Sequence, residues 1–175
     1  SGMVYLSSME VYGYPEKGHK VTENEIGSLS PMEVRNCYPI SKMLCESMCA
    51  GMTAEYKVPV CILRLTQTFG PGVEWNDRRV FAEFARRAIG REDIVLKTQG
   101  LTSRCYLYTM DGAAAILTVL LKGTAGAAYN AANESSFCTI AEMAGEVAKM
   151  AGVRVRIQPE DTAALGYADT LYMDL

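Results

Sequence analysis

The sequence predicts an α/β fold built on a parallel sheet. Three observations lead there. Short apolar runs alternate with longer segments of helical periodicity along most of the 175 residues. Two of the runs, Met3–Leu6 and Val58–Leu65, read as strands buried on both faces. Polar, turn-rich stretches, Gly13–Pro31 and Thr66–Asn76, separate each run from the next helix.

In order, Met3–Leu6 is a strand ending in two small hydroxyl residues, Ser7 and Ser8. Gly13 to Pro31 is loop. Cys37–Tyr56 is a helix, with Ile40, Leu44, Met48 and Met52 at four-residue spacing. Val58–Leu65 is the next strand, and Thr66–Asn76, holding Gly70, Pro71 and Gly72, is loop. Asp77–Ile89 is amphipathic: Val80, Phe81, Phe84 and Ala88 oppose Arg78, Arg79, Glu83 and Arg87. Ile94–Leu96 and Cys105–Tyr108 are short strands, and Asp111–Leu121 is an alanine- and leucine-rich buried helix. Ala127–Asn130 is a strand. Thr139–Met150 is a helix for which Thr139 is the expected N-cap. Val153–Ile157 alternates Val and Arg, as a half-exposed strand does.

Composition narrows the function classes. Hydrophobic residues make up 49% and charged residues 21%, enough for one domain with a real core. The net charge of −3 gives no basic surplus for nucleic acid or an anionic membrane. The longest apolar run is too short to span a bilayer. The first residues carry no basic region and no cleavage pattern, so a cytoplasmic location is expected. They enter a strand-like run at once, as at a boundary within a longer protein. Six cysteines without a Cys-x-x-Cys pair suit reduced thiols better than a disulfide framework. The single histidine, His19, stands in a polar loop, so no metal site is expected. The ten methionines read as core or oligomer packing. Trp75 either lines a pocket or caps the Gly72 loop.

Two spacings carry chemistry. Tyr38 and Lys42, four apart at the start of a helix, share one face. A neighbouring ammonium favours the phenolate of a tyrosine, so the pair suits proton removal from an alcohol while hydride leaves the same carbon. Upstream, Leu6-Ser7-Ser8-Met9-Glu10-Val11-Tyr12-Gly13 puts a hydroxyl and a carboxylate at the C-terminal edge of a strand, where open α/β sheets bind ligands. Ser8 is placed to hydrogen-bond the oxygen that Tyr38 deprotonates, and Glu10 to serve as a second acid or base.

The order Ser-Ser-x-Glu-Val-Tyr-Gly, then Tyr-x-x-x-Lys, then Arg64-Leu-Thr-Gln-Thr-Phe-Gly-Pro-Gly72 resembles the extended short-chain dehydrogenase/reductase family, and within it the NAD-dependent nucleotide-sugar epimerases, dehydratases and decarboxylases. Thr102–Asp111 and Tyr129–Asn133 continue the likeness. The resemblance implies the C-terminal part of a Rossmann-like, doubly wound parallel sheet plus a small α/β substrate-binding region. Residues 1–66 would be the remainder of the dinucleotide-binding domain with the catalytic helix. Residues 67–175 would be mainly substrate-binding, with late sheet elements. Tyr38 would be the base, Lys42 its partner and a holder of the nicotinamide ribose, Ser8 the third catalytic residue and Glu10 the fourth. Ser7, Thr66 and Thr68 would also face the cofactor. Ser8, Gln67, Arg79 and Arg104 would face the substrate, with the Arg104 guanidinium at the diphosphate. Full-length relatives are commonly dimers through two long helices, here including Cys37–Tyr56 and either Asp77–Ile89 or a partner outside this chain, so a homodimer is implied.

Five departures sharpen the expectation. Met9 stands where sugar 4,6-dehydratases carry an aspartic acid that protonates the leaving hydroxyl. Gln67 replaces a usual Asn. Glu83 stands near a second substrate-facing Asn, where Arg78 or Arg79 would have to offset its charge. No Gly-x-x-Gly-x-x-Gly follows any strand, so the pyrophosphate cradle is expected outside this chain. The tail, Ala168 to Leu175, stops short of the family's last helices. The expected activity is therefore oxidation of a nucleotide-sugar hydroxyl to a keto-sugar, then epimerisation or decarboxylation, performed by a longer protein, with these residues inactive by themselves. NAD is the expected cofactor and NADP the alternative. The competing functions are an inactive NAD-binding regulator and a simple keto-sugar reductase.

Overall fold

The computed structural model describes residues 2–159 and 171–175. In chain order it has β1 (Met3–Ser8), a 3-10 turn (Met9–Tyr12), a second such turn (Val34–Asn36), α1 (Cys37–Tyr56), β2 (Val60–Leu65) and β3 (Gln67–Phe69). There follow α2 (Val80–Ile89), β4 (Ile94–Leu96), β5 (Ser103–Tyr108), α3 (Thr109–Lys122), β6 (Ala128–Ala131) and β7 (Asn133–Thr139). The last described elements are α4 (Ile140–Ala151), β8 (Val155–Ile157) and β9 (Tyr172–Met173). Ala168 to Thr170 of the tail lie outside the described residues.

The two apolar runs pair as parallel strands, and β6 joins the far side of β2, giving the order β1-β2-β6. Alternation along β2 sends its side chains to opposite faces. Val60 and Ile62 pack with Tyr5 and Cys49 of α1. Cys61 and Leu63 pack with Ile116 and Val119 of α3. The strand is buried on both sides, which explains why its sequence is nearly continuous apolar.

A second sheet has the order β3-β5-β7, with β9 also on β5. Here β5 runs parallel to β3 and β9 and antiparallel to β7. A third pair, β4-β8, packs under α2 and α4 around Phe84, Ile94, Leu96, Ala144 and Ala148. The turn after β1 has its own core, where Met9, Val11 and Tyr12 meet Val21, Leu171, Met173 and Leu175. Gly27 presses backbone to backbone on this turn, donating its N–H to the Val11 carbonyl at 3.0 Å. A Cβ at Gly27 would collide with the Tyr12 carbonyl.

The α/β class and the parallel sheet match the sequence reading; six details differ. β1, expected buried, leaves Met3 and Leu6 exposed because no strand among the described residues covers its outer flank. α3, expected buried, buries only Gly112 and Val119 and exposes Leu117, Leu120 and Leu121. The Leu44, Met48 and Met52 stripe of α1 is 43–63% exposed, and the buried residues of that helix are Pro39, Glu46 and Cys49. α2 begins at Val80, because the Asp77 carboxylate accepts the Arg79 backbone N–H at 2.8 Å and holds those residues in a turn. Gln67–Phe69, expected as loop, is a strand because β5 lies alongside it. Asn133–Thr139 is polar and largely exposed, yet it is a strand for the same reason. Thr139 does cap α4: its hydroxyl accepts the Glu142 N–H at 3.1 Å, and the Glu142 carboxylate accepts the Thr139 N–H at 2.7 Å.

Candidate active site

Three chain segments converge at the C-terminal edge of β1 and β2. Ser8 leaves β1 with extended backbone, and its Oγ accepts the Glu10 N–H at 3.2 Å. That cap starts the 3-10 turn and sets Glu10 beside the strand end. From the second segment, α1, Lys42 reaches back and donates to the Leu6 carbonyl at 2.8 Å. Its Nζ lies 5.7 Å from the Tyr38 ring centre and 5.1 Å from that of Tyr5. The third segment is the crossing from β2 into β3, Thr66–Thr68.

A cleft of about 360 Å³ opens between them. Ser7, Ser8, Glu10, Tyr38, Lys42, Thr66, Gln67, Thr68 and Arg79 all line it, which brings together every predicted site residue but one. Ser7 is buried and its hydroxyl has no partner among the described residues. Thr66 spends its hydroxyl on the Ala131 carbonyl at 3.2 Å, so it ties β2 to β6. The Thr68 hydroxyl donates to the Thr66 carbonyl at 3.1 Å. Arg79 sits at the rim, forked onto Asp77 with Nη2–Oδ2 at 2.6 Å and stacked on Phe81. Hydrogen bonds from the Arg79 side chain and backbone hold the Asp77 carboxyl below its usual range.

The exception is Arg104. It lies on β5, in the second sheet, and lines an adjoining cavity of about 510 Å³ walled by Phe84, Val95, Leu96, Lys97 and Ile140. Burial lowers its guanidinium from the ordinary value, and its Nε has no partner among the described residues. Two residues along, the buried Tyr106 hydroxyl is likewise unpartnered, and burial pushes that phenol up to about 12. Glu10 lines both cavities and is the link between them.

Several residues turn out otherwise than expected. Arg35, to which the sequence reading gave no role, pairs with Glu10 at 3.3 Å. Its only signal was a lone arginine just before Tyr38. Glu83 does line the Arg104 cavity, but Arg87 offsets it at 3.1 Å, whereas Arg79 is engaged with Asp77. Trp75 is 66% exposed and lines neither cavity; its carbonyl accepts from Arg86 at 2.7 Å. His19 pairs with Glu25 at 2.7 Å. The six cysteines are free thiols. Among the described residues there is no cluster of metal-ligating side chains, and no helix is long and apolar enough to cross a membrane.

Comparison with known proteins gives a consistent picture. A sequence model of the NAD dependent epimerase/dehydratase family matches residues 2–132. UDP-glucuronic acid decarboxylase 1 of Xenopus tropicalis is 33% identical over 109 residues, covering 62% of this chain and 26% of that protein. UDP-glucuronic acid decarboxylase 6 of Arabidopsis thaliana is 28% identical over 156 residues, covering 89% of this chain and 45% of its own length. Among solved structures, a dTDP-glucose 4,6-dehydratase from Bacillus anthracis in complex with NAD superposes with a TM-score of 0.82 at 23% identity. That match covers 99% of this chain and 52% of the other, and it shows the shared fold. The chain thus spans less than half the length of these curated relatives.

Proposed function

The chain belongs to the NAD dependent epimerase/dehydratase family, and from that premise we propose that the protein carrying it converts a nucleotide sugar through a keto-sugar intermediate, by epimerisation or decarboxylation. The observation that carries this reading is the convergence of Ser8, Glu10, Tyr38 and Lys42 on one cleft. Residues 1–66 are the cofactor and catalytic side of this proposal, and residues 67–175 mainly the substrate side.

The residues present fit the nicotinamide end of NAD. The buried Ser7 hydroxyl, without a partner among the described residues, and the Lys42 ammonium both line the cleft. When bound, NAD supplies the hydride acceptor, and later the donor, at the sugar carbon. Tyr38 takes the proton of the reacting hydroxyl as that carbon is oxidised, and returns it on rereduction. Ser8 positions the same oxygen. Lys42 offsets the negative charge that develops on the Tyr38 oxygen. Glu10 holds or delivers a second proton, with Arg35 fixing its carboxylate. Gln67 and Arg79, which line the same cleft, face the sugar, and Arg104 meets the diphosphate in the adjoining cavity. Met9, buried and apolar between Ser8 and Glu10, offers no proton to a leaving hydroxyl. That favours epimerisation or decarboxylation over 4,6-dehydration. The exposed Leu44, Met48 and Met52 stripe of α1 supports a homodimer of the longer protein.

The test is turnover of the full-length protein on UDP- and dTDP-sugars, uronic acids included, with products read by NMR. Conversion without net cofactor consumption is expected, falling at least about 100-fold in Tyr38→Phe. Unchanged turnover in that variant sinks the assignment. Net loss of reduced cofactor would make the protein a reductase instead. Bound NAD with no turnover would make it a regulator, the reading that Gln67 and Glu83 favour.

A further inference from the structure

We propose that Arg64 is the positioning residue of this site, one buried guanidinium that fixes all three catalytic segments relative to one another. The inference rests on the function proposed above and goes beyond it.

Arg64 is the one charged residue in β2 and is 4% exposed. It points to the α1 side, two residues on from Ile62. Its Nε and Nη2 donate to the two oxygens of Glu46 at 3.0 and 2.8 Å. Its Nη1 donates to the Tyr12 hydroxyl and to the Glu23 carbonyl, each at 2.9 Å. The Tyr12 hydroxyl donates onward to Asn130 at 2.6 Å. The Glu23 carboxylate accepts the Asn130 N–H at 2.9 Å and closes the loop. Burial works against the charge on Arg64, but the bonds to Glu46 and Tyr12 outweigh it and raise its pKa.

The destinations of these bonds matter more than their number. Tyr38, Lys42 and Glu46 recur every four residues and share one face of α1. Fixing Glu46 therefore fixes the rotation of the helix that aims Tyr38 and Lys42. Tyr12 ends the 3-10 turn that begins at Ser8 and carries Glu10. Arg64 itself stands two residues before Thr66, where β2 opens into the cleft. None of Arg64, Glu46, Tyr12, Glu23 and Asn130 lines the cleft. Their influence must pass through the residues that do.

The chemistry of the side chain suits the task. A planar guanidinium forked onto a carboxylate resists both sliding and twisting, which apolar contacts do not. The β1-β2 ladder and the Lys42 bond to the Leu6 carbonyl also join these segments, but Arg64 is where α1, the turn after β1 and β2 are bonded to one side chain. A shift of about 1 Å in a reacting group can cost on the order of 100-fold in rate.

The experiment uses the full-length protein and two near-isosteric variants, Tyr12→Phe and Glu46→Gln. Positioning predicts a kcat lowered about 10- to 100-fold with the nucleotide-sugar KM within about twofold. It also predicts cross-talk in amide hydrogen exchange. Tyr12→Phe should speed exchange about tenfold at Tyr38–Lys42, and Glu46→Gln should do so at Met9–Tyr12, with α4 unchanged. Kinetic constants unchanged in the folded variants, or exchange that rises only in the substituted element or uniformly, would overturn the proposal. If the unmodified protein turns over no nucleotide sugar, the proposed reaction fails. The exchange pattern then decides the positioning role by itself.

Discussion

Arg104 and the Tyr38 set make different demands on a substrate, and substitution should separate them. Arg104→Ala removes a half-buried guanidinium that has no carboxylate partner among the described residues. The nucleotide-sugar KM of the full-length protein should rise about 10- to 100-fold with a smaller change in kcat, and Arg104→Lys should not restore it. Steady-state kinetics on both variants checks this. A second residue-scale outcome concerns Glu25, whose carboxyl is held down to about 2 by the His19 side chain and then by the Thr22 backbone and hydroxyl. Its folded pKa lies below the unfolded one. Whatever it contributes is therefore complete above about pH 4.3 and lost as pH falls toward the folded value. A carboxyl-carbon NMR titration should give a midpoint near 2 that rises in His19→Asn. That Ser8, Glu10, Tyr38 and Lys42 share one cleft was legible in the sequence because their placement depends on short spacings. Arg35 and Glu46 were not, because each takes its meaning from a partner at least eighteen residues away. An arginine inside an otherwise apolar strand was the available clue to Arg64.

At the scale of elements, the helices were the best predicted, since caps and periodicity are local. Thr139 is the clearest case. Thr139→Ala should cost about 1 kcal/mol, a fall of about 2–4 °C in Tm for a chain of this size, read by thermal melting. β3 and β7 show the opposite. Gln67–Phe69 is three residues long, and Asn133–Thr139 is mostly polar, so neither carries a strand pattern of its own. Both exist because β5 offers a backbone ladder. The α1 stripe was read correctly as helical, but periodicity cannot say which face meets the sheet. The sheet side of α1 carries Glu46 instead of leucine or methionine, because Arg64 waits opposite it. Glu46→Ala would leave that arginine buried and uncompensated, at a cost of about 3–5 kcal/mol.

Across the whole molecule, the proposed catalytic groups sit at the meeting of two sheets, and the adjoining cavity lies between the second sheet and the α2/α4 pair. This division explains why the site takes residues from both ends of the described chain, from Leu6 to Leu171. The nicotinamide end of the cofactor is proposed to meet residues here, but no glycine-rich phosphate loop occurs in the sequence. NAD should therefore bind these 175 residues weakly when they are produced by themselves. Calorimetry giving a micromolar Kd would contradict that. A parallel sheet was foreseeable from strands alternating with helices, whereas its β1-β2-β6 order and the second sheet, built from polar or very short strands, were not.

β1 has β2 on one flank and, among the described residues, no strand on the other. Met3 is 50% exposed and Leu6 39% exposed along it. An open flank of this kind is a seam as well as an edge. It makes the domain divisible: the segment that pairs there in a longer protein could be supplied as a separate polypeptide. Co-expressed halves tagged with split-luciferase fragments should regain light output. A proline at Leu6 should abolish it, by removing a backbone N–H from the ladder.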